Sequence, residues 1–180
     1  MPIDALNKRA PFPKPLARLV ERMTGKRGHS RPVPAPHLRP LAQLVGTWRI
    51  RGRTPDSKVD NIRGVVRFVW SDDMTFLESR GVLRVGKLEA RALEIMTYAG
   101  APGAFLGWVF SSYSTGKAKP ARYHWSIKGS RVRHSGLGAT FRGSFSPDGR
   151  ILSGGWHPDP GRKRLSGSRY DAVMTRVSRR

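Results

Sequence analysis

From Leu41 onward, apolar and polar side chains alternate in short runs broken by Gly, Pro, Asp and Ser, the pattern of half-buried β-strands. Strands are expected near 47–53, 62–70, 74–84, 88–98, 106–113, 120–128, 131–135, 139–146, 150–156 and 168–177. Turn chemistry supports these divisions. In Ser146-Pro147-Asp148-Gly149, Pro presets φ and Gly supplies a positive φ, while Val85-Gly86 and Gly129-Ser130 suit tight hairpins. Alternation then sorts the faces: Tyr123, Trp125 and Ile127 share one, and Arg122, His124, Ser126 and Lys128 share the other. The first set is expected inside. The same rule groups Val66 with Phe68 and Trp70, Trp108 with Phe110, and Phe141 with Phe145. Neighbouring strands with one apolar face each escape exposed edges by closing on themselves. The fold class predicted is therefore all-β, an antiparallel up-and-down barrel of about 8–10 strands.

Residues 1–40 have a different composition. They hold more than half of the 14 prolines and nine basic side chains, from Lys8 to Arg39, against Asp4 and Glu21. Such a segment buries too little apolar surface to offset its ordering entropy, so a mostly disordered basic arm is expected. Within it, Leu16, Leu19, Val20 and Met23 would share one face of a short helix over 14–24, ended by Gly25. The expected organisation is this arm followed by one barrel domain over 41–177.

Composition narrows the chemistry. A chain of 180 residues with 38% hydrophobic side chains is long enough for one sizeable core. The absence of cysteine removes disulfides, thiolate nucleophiles and Cys-based zinc sites. No apolar run approaches the ~20 residues of a membrane helix and the N-terminus lacks the apolar core of a secretory signal, so a cytoplasmic protein is expected. The formal charge of +22 would attract any polyanion. An Arg-, Ala- and Gly-rich composition also follows from a GC-rich genome, so charge alone names no ligand.

The stretch Leu41-Ala42-Gln43-Leu44-Val45-Gly46-Thr47-Trp48, followed by Phe141–Gly149, Gly154-Gly155-Trp156 and Met174-Thr175-Arg176-Val177, resembles the uncharacterised bacterial family DUF1579. It is also similar to the wider calycin group of lipocalins, fatty-acid-binding proteins and nitrobindins. The resemblance covers roughly 41–177. It implies a calycin-like barrel, often a container for a small apolar molecule, in a family without an established activity. In lipocalins an Arg of the last strand covers the Trp of the first, and Trp48 and Arg176 match those places. An Arg plane over an indole closes a barrel end through apolar contact and a cation–π interaction of about 0.5–2 kcal/mol.

Candidate chemistry is sparse. Nitrobindins hold haem through one His, which makes His134 and His157 the haem candidates here. No metal-type His spacing accompanies them, so ordinary surface positions are the favoured reading and no cofactor is expected. Glu78 shares a face with Phe76, and Glu94 with Met96 and Tyr98. If those faces are internal, each carboxylate sits in a dry cavity and can orient a ligand or act as a base; if external, each pairs with Arg. No GxSxG, P-loop, GxGxxG or HExxH motif occurs, so an enzyme is not the favoured class. The leading expectation is a ligand-binding barrel whose cavity is lined by Phe68, Trp70, Phe76, Glu78, Glu94, Trp108, Tyr123, Trp125 and Phe141. The alternatives are non-specific binding of nucleic acid or an anionic membrane by the arm and Arg162-Lys163-Arg164, or a small-molecule cavity enzyme. Ligand identity and oligomeric state are not encoded in any motif.

Overall fold

The computed structural model describes residues 32–112, 120–161 and 169–179. The helix expected over 14–24, most of the basic arm and Arg162-Lys163-Arg164 lie outside the described residues. Among the described residues, ten strands follow one short 3-10 helix, Pro36–Gln43. They are β1 (Gly46–Arg53), β2 (Ile62–Trp70), β3 (Leu77–Val85), β4 (Leu88–Tyr98), β5 (Ala104–Ser111), β6 (Ala121–Lys128), β7 (Arg131–Gly136), β8 (Ala139–Phe145), β9 (Ile151–Pro158) and β10 (Tyr170–Ser178). Each strand pairs antiparallel with its sequence neighbour, and β1 pairs with β10 to close the barrel. The expected all-β up-and-down topology is the one observed.

Local chemistry sets the hairpins. Ser146 Oγ donates to Asp148 Oδ1 at 2.6 Å, and the amides of Arg150 and Ile151 donate to Asp148 Oδ1 and Ser146 Oγ at 3.0 Å each. Gly149 completes the turn at φ 66°. Ser71 and Asp73 repeat this device between β2 and β3, where the amides of Thr75 and Phe76 donate to Ser71 Oγ. That turn holds 71–76 out of the sheet, so β3 begins at Leu77 and not near 74. The inward set of β3 is therefore Leu77, Ser79, Gly81 and Leu83.

Two of the expected lining residues, Glu78 and Trp108, face outward. Glu78 lies on the outer face, where Arg80 Nε donates to its Oε1 at 2.6 Å, and Phe76 sits in the turn ahead of the strand. In β5, Trp108 and Phe110 share a face as expected, but it is the outer one, and they are 39% and 48% exposed. Phe105, Gly107 and Val109 point inward. Both faces of Ala104-Phe105-Leu106-Gly107-Trp108-Val109-Phe110 are apolar, so alternation alone could not choose between them.

The 3-10 helix plugs one end. The compact unit begins at Val33, ahead of the expected boundary near 40, and Leu38, Leu41 and Leu44 are buried. They pack with Trp48, Phe68, Leu77, Met96, Phe105, Phe145 and Leu152 into one core cluster. The carbonyls at the helix C-terminus have no helical partner and need other donors. Trp48 Nε1 donates to Leu44 O at 2.6 Å, and Arg176 donates to the carbonyls of Gln43 and Val45 at 2.6 Å and of Gly149 at 2.9 Å. Trp48 and Arg176 are register partners across the β1–β10 seam, with the Arg Cζ 4.3 Å from the indole centroid. The last strand thus covers the first while completing the helix end. Burial first, and Arg179 second, push the Arg176 pKa below its usual value, but an Arg keeps its charge.

Candidate functional site

Along β1 the inner wall passes from Trp48, packed under the helix, to Ile50, which lines an open interior. The cavity has a volume of about 290 Å³. Small inward side chains create the space: Gly81 on β3, Ala90 and Ala92 on β4, and Ala172 on β10 line it. Larger apolar groups, among them Val66, Phe68, Phe141, Trp156 and Met174, complete the wall. The polar lining side chains are Ser79, Glu94, Tyr123, His134 and Tyr170. No Lys or Arg lines this cavity among the described residues.

Glu94 is the charged centre of the site. It stands on the inner face of β4 between Ala92 and Met96 and is 6% exposed. Trp125 Nε1 donates to its Oε1 at 2.7 Å, and His134 Nε2 lies 3.6 Å from the same oxygen. Gly107 makes the position possible, because a Cβ there would collide with that carboxylate oxygen. Gly136 does the same for Tyr123, whose ring occupies the space a side chain would need.

His134 is enclosed by rings. Its imidazole stacks on Trp125 with centroids 3.7 Å apart and 16° between planes, and Tyr123 and Trp156 flank it at 4.9 Å and 5.1 Å. Its Nε2 is buried and, among the described residues, has no hydrogen-bond partner. The expected surface position of His134 is thus corrected: β7 is short and turns Val132 and His134 inward together. His157 does lie on the outer face, opposite Trp156.

Of the expected lining residues, the fold brings Phe68, Glu94, Tyr123 and Phe141 to the cavity. Trp125 stands behind Glu94 as its hydrogen-bond donor, and Trp70 packs against the core cluster. Phe76, Glu78 and Trp108 are elsewhere. Sequence reasoning did not place Ser79, His134, Trp156 and Tyr170 in the site. The alternation Leu152, Gly154, Trp156 on β9 carried a signal for Trp156, while Tyr170 opens a strand whose inward set is otherwise marked only by Ala172 and Met174.

Burial raises the Tyr123 pKa, with a further contribution from the Glu94 charge, and burial followed by proximity to Tyr123 raises that of Tyr170 well above the ordinary range. Unfolded tyrosines ionise near pH ~10. The folded chain holds these two protons longer, so their contribution to stability is complete below about pH 10 and is lost as pH climbs through the raised values. Alkaline titration followed by tyrosinate absorbance is expected to show a late-ionising component that Tyr123→Phe and Tyr170→Phe each diminish. Ionisation of both groups at the ordinary value, with the barrel intact, would contradict their burial.

No family model and no curated protein matches this sequence. Among solved structures, the crystal structure of Rv2717c from M. tuberculosis is similar, with a TM-score of 0.51 at 18% identity. The likeness covers 80% of this chain and 99% of that one. At such identity it shows the fold alone. No helix among the described residues is long and apolar enough to cross a membrane.

Proposed function

We infer that the barrel is a container for one small apolar or amphipathic molecule, held in the interior with its polar end toward Glu94. The observation that carries this reading is the juxtaposition of a mostly apolar cavity of about 290 Å³ with a single convergent polar cluster of Glu94, His134 and Tyr123. Ligand sites have this composition, with apolar walls giving affinity and a few polar groups giving orientation. The volume lies just below the usual range for such sites, roughly 300–1,000 Å³, which favours compact guests over long acyl chains. Membership of the DUF1579 family, suggested by the order of the sequence motifs, is compatible with a container role. One oxygen of the polar cluster is already engaged: Oε1 of Glu94 accepts from Trp125 Nε1.

Native mass spectrometry of freshly purified protein, together with displacement of an environment-sensitive naphthalene or anilinonaphthalene dye, tests the reading. One-to-one adducts or saturable dye uptake are expected. A protein that carries no adduct and takes up none of these dyes is a filled barrel, and the container reading then falls.

A further inference from the structure

We propose that the guest is an organic cation, a compact aromatic or alkyl amine whose ammonium group meets Glu94 inside the barrel. This rests on the container reading and names the chemical class it would hold.

The argument starts from charge. The protein carries a formal charge of +22, yet its interior has the opposite character: one carboxylate, 6% exposed, and no Lys or Arg along the cavity wall among the described residues. Taking a carboxylate out of water is costly unless a cation or several hydrogen bonds join it. Glu94 has one short hydrogen bond, from Trp125 Nε1; His134 Nε2, at 3.6 Å, is too far for a second and forms an ion pair with the carboxylate only when the imidazole is protonated. Both contacts go to Oε1, which leaves Oε2 for a guest.

The wall around this carboxylate is aromatic. Phe68, Phe141, Tyr123, Trp156 and Tyr170 line the same cavity, and an ammonium gains from the faces of such rings as well as from the carboxylate. A fatty acid or other carboxylate guest would meet the reverse situation. Its head would face Glu94 with no Lys or Arg among the described lining residues to receive it, His134 being the one basic group at hand, and like charges in a site of low dielectric repel strongly. Since the +22 exterior attracts anions in general, an interior built this way selects against the molecules that the surface collects.

The test uses three guests with one skeleton, naphthylethylamine, naphthylethanol and naphthylacetate, titrated calorimetrically into the full-length protein. The amine is expected to bind about tenfold or more tightly than the alcohol, and the carboxylate more weakly than either. Glu94→Gln keeps an acceptor for Trp125 and removes the charge, and it is expected to bring amine and alcohol within about twofold of each other. Alcohol binding equal to or better than amine binding in the wild-type protein overturns the proposal while leaving the container reading in place, and this arm does not depend on the variant folding. An amine preference that survives Glu94→Gln in a protein with a native near-ultraviolet spectrum also overturns it. Failure of all three guests to bind removes the container reading as well.

Discussion

Trp48→Ala is expected to lower the stability of the barrel by about 3–5 kcal/mol, the range for deleting a fully buried large aromatic side chain. Several losses coincide at this position. Trp48 is 0% exposed, packs with the core cluster under the helix, and donates to the Leu44 carbonyl. Its removal also leaves the Arg176 guanidinium without the ring it covers. For a domain of this size, melting should fall by roughly 10 °C or more. Arg176→Ala should also be costly, because the carbonyls of Gln43, Val45 and Gly149 lose a charged donor together. Arg176→Lys is expected to rescue little, since one ammonium cannot reproduce the planar fork that reaches three carbonyls. The two sites touch, so the double variant should be less destabilised than the sum of the singles. Urea unfolding of the four proteins measures this. Additive losses would show that the ring and the guanidinium act independently, and a Trp48→Ala midpoint equal to wild type would remove the plug from the account.

Ala92→Trp is expected to abolish uptake of naphthalene-type guests while leaving the barrel folded. Ala92 lies on the inner face of β4, two residues from Glu94, and its small side chain is part of what keeps the cavity open. An indole there occupies the volume of the guest instead of displacing a packed neighbour, so the usual overpacking cost of about 1–3 kcal/mol should be largely avoided. Leu93→Trp, one residue along and on the opposite face, is the control. The expected result is at least a tenfold loss of affinity for the inward variant and none for the outward one. Equal binding by both would place the guest outside the barrel.

The sequence predicted ten strands and their antiparallel order because each strand ends in a turn with its own chemistry, such as Ser146-Pro147-Asp148-Gly149 or Gly129-Ser130. Inner and outer faces were legible where one face was clearly polar, as in Tyr123-His124-Trp125-Ser126-Ile127, and illegible where both were apolar, as in β5. The carboxylate question was likewise decided by turn geometry. Because residues 71–76 form a hydrogen-bonded turn ahead of β3, Glu78 went outside to Arg80. Glu94 went inside, and the sequence carried one unread sign of it: Gly107 in the middle of the strand paired with β4, where only a missing side chain accommodates the carboxylate. His134 was legible in the same way: in Arg131-Val132-Arg133-His134 it shares the face of Val132, opposite the two arginines.

The β1–β10 seam has a consequence for how the chain is made. Arg176 bonds to a carbonyl 131 positions earlier, at Val45, so the ring cannot shut until nearly the whole domain has left the ribosome. Until then the edge of β1 that β10 covers in the folded barrel has no partner. Such long-range pairing is slow to form and exposes the intermediate to association. Refolding from denaturant is therefore expected to lose yield as protein concentration rises.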